Sequence, residues 1–363
     1  MIDQQLAGIS NLALVVTIVL YVLALIGFAA DLASTAQRRS DERLAARERL
    51  QARAQQPRTV AAGRGPSTAA DVPGAGAAGA SPATGSSAAG SDDPAPAAGG
   101  LSAQRFAFIL TCAATVLHLV GVATRAAATQ RVPWANMYEF ATTSTAVVMV
   151  AFLVFCIKRT ELRSLGTFVI GPVLLVLLLA QTLWIVPAAA LTPSLQNSHW
   201  MVIHIGVAII ATALSILGAV VASLQLLQAR HERALVEAVE SGEEHPEHWG
   251  RFGHVLDRLP ASTVLEALSF RIHSVAFVCW TFTLIFGAIW ARDAWGRFWG
   301  WDPKEVWTFI IWVIYAAYLH ARATGGFRGS RAAGLALAGF VAVVFNYTIV
   351  NTVINGLHSY SGL

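Results

Sequence analysis

Charge is scarce in this chain. Only 13% of its 363 residues are Asp, Glu, Lys or Arg, about half the ~25% usual in a soluble domain. That shortfall excludes an ordinary cytosolic enzyme. Cysteine is scarcer still: Cys112, Cys156 and Cys279 stand far apart in apolar runs. They exclude a disulfide framework, a CxxC redox pair and a cysteine-rich zinc site. No basic stretch precedes the first apolar run, which follows Met1-Ile-Asp-Gln-Gln5, so that run reads as a retained span and not a cleaved signal. No internal repeat is evident. The net charge of +4 is small, and it gives no reason to invoke nucleic acid, because membrane topology itself demands positive loops.

What is present is apolar: 55% of residues are hydrophobic and the mean hydropathy is +0.57. The apolar residues come in runs near the ~20 that cross a bilayer. The expected fold is an all-α polytopic membrane bundle with spans near 8–30, 104–124, 137–157, 164–186, 200–228, 271–291, 306–321 and 333–354. Residues 31–103 read as a linker, charged and able to form a solvated helix over 36–56. The Ala-, Gly-, Pro- and Ser-rich stretch 57–100 buries too little to fold. The sequence thus divides into an extra N-terminal span (1–30), the linker (31–103) and a main membrane domain (104–363). In the loop 229–270, Pro260 breaks any single helix. Val255, Leu256, Leu259, Val264, Leu265, Leu268 and Phe270 read as an amphipathic segment at the inner interface, or a helix packed under the bundle, with Ser262 as a candidate cap of its second half.

Basic residues set the orientation. Twenty of the 25 lie on one side: eight arginines from Arg38 to Arg64, Arg105, Lys158, Arg159, Arg163, five arginines of 229–271, and Arg322, Arg328 and Arg331. That side reads as cytoplasmic, which puts both termini and the loop after span six outside. Arg125 and Arg131 oppose this weakly.

The loop after span six is the densest feature. Seven of eleven tryptophans fall between Trp280 and Trp312, around Trp290-Ala-Arg-Asp-Ala-Trp295-Gly-Arg-Phe-Trp299-Gly-Trp301-Asp-Pro-Lys-Glu-Val-Trp307. An interfacial aromatic belt is the plain explanation, but a belt spreads over all loops, and 187–199 has no aromatic residue. Flat rings beside Arg292, Arg297 and Lys304 suit a large planar ligand that carries carboxylates.

This motif, followed by Tyr315-Ala-Ala-Tyr-Leu-His320-Ala-Arg322, resembles the tryptophan-rich "WWD" signature of haem-handling proteins. Val132-Pro-Trp-Ala-Asn136-Met-Tyr138-Glu139, Ser198-His-Trp-Met-Val-Ile-His204 and the tail Asn355-Gly-Leu-His358-Ser-Tyr extend the likeness. Together they resemble the CcsA/ResC type of system II cytochrome c biogenesis protein over about residues 104–363. The CcmC and CcmF types share the loop motif, but the span count and the tail favour the CcsA type.

Ten histidines are candidates for iron ligation. His204 lies about one turn inside the outer end of span five, and His358 just beyond span eight. Both are level with the tryptophan loop, where imidazole is a common haem ligand. A backbone-bonded histidine is the alternative for each. The resemblance implies that they are the two ligands of an external haem. It also implies that His320, near the inner end of span seven, ligates a haem within the membrane, opposite a ligand from a ResB-type partner; that position is expected to face the bundle interior. His118 reads as a core histidine, with an intramembrane haem ligand as the alternative, His199 as rim, and His273 as interfacial or near a propionate. His231, His245, His248 and His254 read as solvated.

In the expected site, Trp295, Trp299 and Trp301 form a platform and Asp302 fixes the loop by capping span seven. Arg297 and Lys304 neutralise propionates, while Asn136 and Glu139 form a polar wall, unless Glu139 only pairs with Arg131. The activity that the resemblance implies is transport of haem b across the bacterial plasma membrane. With the ResB-type partner, the haem is then attached to the CxxCH cysteines of apocytochrome c. The chain brings no nucleophile of its own. Two alternatives remain: a haem exporter without ligase activity, and a bis-histidine cytochrome b subunit, which would place its histidine pairs deep between facing helices.

Overall fold

The computed structural model describes residues 2–55, 102–189, 198–242, 249–324 and 326–358. The Ala/Gly/Pro-rich 57–100, His245, His248 and the side chain of His254 lie outside the described part. Among the described residues there are helices and no strands: α1 (Gln4–Gln55), α2 (Ala103–Thr129), α3 (Met137–Lys158), a 3-10 turn (Thr160–Leu165), α4 (Gly166–Thr182), α5 (His199–Ser241), α6 (Gly250–Leu256), α7 (Ser262–Trp295), α8 (Pro303–Ala323), α9 (Ser330–Tyr347) and α10 (Ile349–Thr352). Eight stretches are long and apolar enough to cross a membrane: Gln4–Ala33, Ala103–Thr129, Met137–Lys158, Thr160–Thr182, His199–Ser241, Ser262–Trp295, Pro303–Ala323 and Ser330–Thr352. They match the expected eight.

The chain forms two units. One is Met1–Ala36 with Ser102–Leu363, and the other is Gln37–Leu101, helical as far as Gln55.

In lipid every backbone group must be satisfied within the chain, so apolar runs become helices. Hydroxyls inside them bond back to carbonyls one turn earlier, as Thr111, Thr115, Thr142, Thr145 and Ser215 do. Helix α5 is the axis of the bundle. It packs along α7 and also meets α3 and α9. One core joins Phe152, Ile170, Leu217, Val221 and Leu265. A second joins Trp280, Ile311, Tyr315 and Val343.

The first span is not merely tethered. A stripe of Ala7, Ser10, Leu14, Thr17, Tyr21, Ala24 and Phe28 is buried, at the spacing of one helix face. Ser10 Oγ donates to the Gly121 carbonyl at 2.6 Å, and Tyr138 Oη donates to Asn11 Oδ1 at 3.0 Å. His118, on α2, is buried beside Tyr21, as expected of a core histidine.

Two expectations at the opposite end from the tryptophan loop need correction. No separate interfacial helix follows Pro260: Ser262 opens α7, which continues unbroken to Trp295. No proline lies between them, and Glu232 of α5 accepts from both the backbone N–H and the hydroxyl of Ser262. His231 is buried and not solvated, because Asp257 meets its Nε2 at 2.9 Å and Trp249 packs on its ring.

Candidate functional site

Helix α7 ends because Gly296 takes a left-handed conformation, φ +72°, and its N–H bonds the Arg292 carbonyl. Glycine adopts that conformation without a Cβ clash. Helix α8 restarts at Asp302 with a capping box: Asp302 accepts from Lys304 N–H, Glu305 accepts from Asp302 N–H, and Pro303 opens the first turn. Glu305 also accepts from Gly300 N–H at 2.8 Å. Residues 296–302 are thereby held as a fixed arch over the end of the bundle.

Beneath it lies a cavity with about 1160 Å³ of empty space, counting its open mouth, lined by α3, α5, α7, α8, α9 and the tail. Its walls are mostly aromatic and aliphatic: Trp134, Phe140, Trp280, Trp290, Phe298, Trp299 and Tyr347 among them. His204 and His358 both open into it.

The two imidazoles come from distant parts of the chain. His204 sits in the second turn of α5, where its Nδ1–H donates to the Thr283 carbonyl of α7 at 2.9 Å. Its ring stacks on Trp290 at 5.9 Å and 15°, and Gly287 leaves the space it occupies. His358 arrives on the tail beyond α10. Its Nδ1–H donates to Asp302 Oδ2 at 2.7 Å, and the neighbouring Leu357 N–H donates to Asp302 Oδ1 at 2.6 Å. Burial pushes the Asp302 carboxyl up, but the His358 ring and the N–H groups of Leu357 and Lys304 outweigh it and hold it below the usual carboxylate range. Trp290 touches both histidines, and Trp295 packs edge-on to His358 at 4.8 Å. Nδ1 of each ring is held by an oxygen acceptor, the arrangement usual for a metal-ligating histidine.

The three loop tryptophans do not share one face. Trp299 lines the cavity. Trp295 backs His358, and Trp301 is 76% exposed. Asp302 caps α8, as expected, and holds the tail. Lys304 lines the cavity, yet its Nζ donates to the Asn346 carbonyl and to Asn351 Oδ1, both at 2.8 Å. It thereby pins the break between α9 and α10. Arg297 pairs with Glu305 at 3.5 Å. Asn136 lines the cavity and caps α3.

Glu139 does not line it. The carboxylate is fully buried between Arg125 and Arg131 and accepts the Ala135 N–H, so pairing replaces the expected wall role. The two arginines reach on to the Val186 and Ala189 carbonyls, which ties down the segment after α4.

His320 is not brought to this cavity. It lies near the far end of α8 and is exposed, not turned into the bundle as expected. Ile311, Tyr315 and Tyr318 form the buried face of α8. Two residues beyond Tyr318 is about 200° around the helix, which points His320 outward. His273 is fully buried, with Nδ1 on the Ser269 carbonyl, and does not line the cavity. His199 is exposed at the rim. Sequence reasoning missed Trp290 as the ring between the histidines, and Glu305, Thr283 and Asn351 as supports. The acid three residues after Asp302 is a visible capping-box signal. Trp290 opens the tryptophan cluster, which shows the residue but not its place between the histidines, and Thr283 and Asn351 carry no signal.

Residues 111–358 match the family model of the cytochrome C assembly protein. A cytochrome c biogenesis protein CcsA of Chlamydomonas reinhardtii is 34% identical over 235 residues, 63% of this chain and 60% of its own length. A CcsA of Prochlorococcus marinus is 32% identical over 265 residues, 69% and 83% respectively. That of Guillardia theta is 34% identical over 244 residues, 64% and 77%. The chain thus spans less than two thirds of the Chlamydomonas relative and most of the other two. With eight apolar helices and a family match that runs from α2 to His358, the chain belongs to the cytochrome c assembly protein family, as a multi-pass membrane protein of the CcsA type with a role in cytochrome c biogenesis.

Proposed function

We propose that this protein binds haem b in the aromatic cavity, between His204 and His358, and presents it for covalent attachment to apocytochrome c. The observation that carries the reading is the convergence of two imidazoles, each with its Nδ1–H already donated, in one largely apolar cavity. A planar apolar ring with a central metal matches those walls and those donors. Bound haem supplies the electrophilic vinyl groups and the iron. The substrate's CxxCH segment supplies the thiols, because Cys112, Cys156 and Cys279 lie in membrane helices away from the cavity.

The chain's own share is orientation and exclusion of water. His204 and His358 would hold the iron, and Trp290 with the arch 296–302 would keep water from the bound group. Such positioning replaces a costly encounter with a pre-set geometry.

Orientation in the plasma membrane follows from the basic residues. The side rich in arginine is cytoplasmic, and the tryptophan loop and both termini face out. His320, exposed near the far end of α8, would then ligate a second, intramembrane haem whose other ligand comes from a ResB-type partner. An exposed imidazole among lipid tails is costly, and a partner helix would cover it.

The test is the optical spectrum and haem content of the full chain purified with its partner, together with thioether formation on a CxxCH peptide. His204→Ala and His358→Ala should each abolish attachment and disturb the low-spin spectrum, with added imidazole partly restoring haem. Normal attachment in either variant would overturn the assignment.

A further inference from the structure

The two candidate ligands are held differently. His204 gives its Nδ1–H to a neutral peptide carbonyl, that of Thr283. His358 gives its Nδ1–H to a carboxylate, and that carboxylate does three things. Asp302 Oδ2 accepts from His358 and from Lys304 N–H at 3.2 Å, while Oδ1 accepts from Leu357 N–H. The approach is close enough to require glycine at 356: a Cβ there would stand 2.7 Å from Oδ1 and 3.2 Å from Pro303 Cδ. Asp302 is buried and does not line the cavity, so it touches the ligand only through His358.

We propose that Asp302 is a positioning residue: it clips the tail onto the start of α8 and sets the tautomer of His358, with the proton on Nδ1 and the lone pair on Nε2. The proposal rests on His358 being a haem ligand. A charged acceptor at Nδ1 raises the basicity of the other nitrogen. His358 is therefore the stronger donor of the pair and His204 the weaker.

Asp302→Asn tests this because asparagine caps a helix as well as aspartate does. It has one oxygen in place of two, however, and an amide N–H₂ turned to Nδ1 favours the tautomer with its proton on Nε2. That tautomer cannot bind iron. Replacement of an orienting carboxylate by an amide defeats a catalytic histidine in the same way.

The experiment titrates haem into the purified full-length protein and reads the optical spectrum. Asp302→Asn should weaken haem binding about 10- to 100-fold, the usual loss when a ligand's outer partner is removed, with the loss of low-spin bands. A double variant, Asp302→Asn with His358→Gly, should regain the same haem binding with added imidazole as His358→Gly alone. Free imidazole needs no orienting group.

Two results would overturn the proposal while leaving the haem site intact. One is wild-type affinity in Asp302→Asn when His358→Ala has lost it. The other is a double variant that imidazole does not rescue although it rescues His358→Gly, which would make Asp302 a folding residue only. Wild-type affinity in both His204→Ala and His358→Ala would instead remove the haem site, and the proposal with it.

Discussion

The methyl group of Gly287→Ala should cost haem affinity without any change to a ligand. Built on the backbone of α7, its Cβ would lie 2.8 Å from His204 Cε1 and 2.9 Å from Nδ1. Ordinary contact begins at 3.4 Å, so the ring must move by about half an ångström, an overlap of the kind that overpacking creates. It has little freedom to do so. Its Nδ1–H is held by the Thr283 carbonyl at 2.9 Å, one turn earlier on the same helix, and its face stacks on Trp290. Overpacking of this kind costs roughly 1–3 kcal/mol, and 1.4 kcal/mol is about tenfold in affinity. Haem binding should therefore weaken by about 5- to 150-fold. Alanine is the better helix former by about 1 kcal/mol, which opposes the effect. Gly171→Ala in α4 isolates that contribution, since a Cβ there meets nothing within 4 Å. The assay is spectroscopic haem titration of both variants in detergent. Gly171→Ala should match the wild type. Equal affinity in Gly287→Ala would refute the claim that His204 is a constrained ligand.

The far end of α8 and the orientation of the chain give two more expectations. His320→Ala should lower haem content in the complex with the partner but leave haem at the His204–His358 site; unchanged stoichiometry would strike it from the ligands. A membrane-impermeant thiol reagent should label Asp293→Cys, beside the tryptophan loop, on intact cells, and should reach Gly326→Cys only after lysis. Both positions are exposed and lie at opposite ends of α8. The reverse pattern would put the cavity on the cytoplasmic side and end the attachment reading.

The spans were legible because their signal is one-dimensional. A bilayer selects runs of a set length, and the turn between α7 and α8 announces itself through Gly296, Asp302, Pro303 and Glu305. Orientation of single side chains is a matter of phase, which is harder to read. The buried set Ile311, Tyr315 and Tyr318 fixes the phase of α8, and the aromatic residues themselves show that phase in the sequence. His320 falls on the other side of it, so its outward direction was legible although the expectation pointed it inward. Glu139 was ambiguous for a different reason. Arg125 and Arg131 were visible, but nothing local shows that their charge would be consumed by one carboxylate and two carbonyls of the segment after α4.

The cavity itself was not legible from local pattern, because it is made by segments that meet only when the bundle closes. His204 and His358 each look like many membrane-edge histidines when read alone. What separates them from those is the group on Nδ1, Thr283 for one and Asp302 for the other, and both contacts are long-range. The tail shows this most clearly. Residues 353–358 contain no helix and no long apolar run, and they are fixed only by contacts elsewhere. The carboxylate that starts α8 accepts Leu357 N–H and His358 Nδ1, Gly356 permits that approach, and Lys304 ties α9 to Asn351. The residues that cap α8 thus also hold His358 at the cavity. A mutation that loosened the cap would therefore remove His358 from the cavity without touching it. This is why the tryptophan loop is better understood as the mount for His358 and the wall beside His204 than as a stacking platform alone.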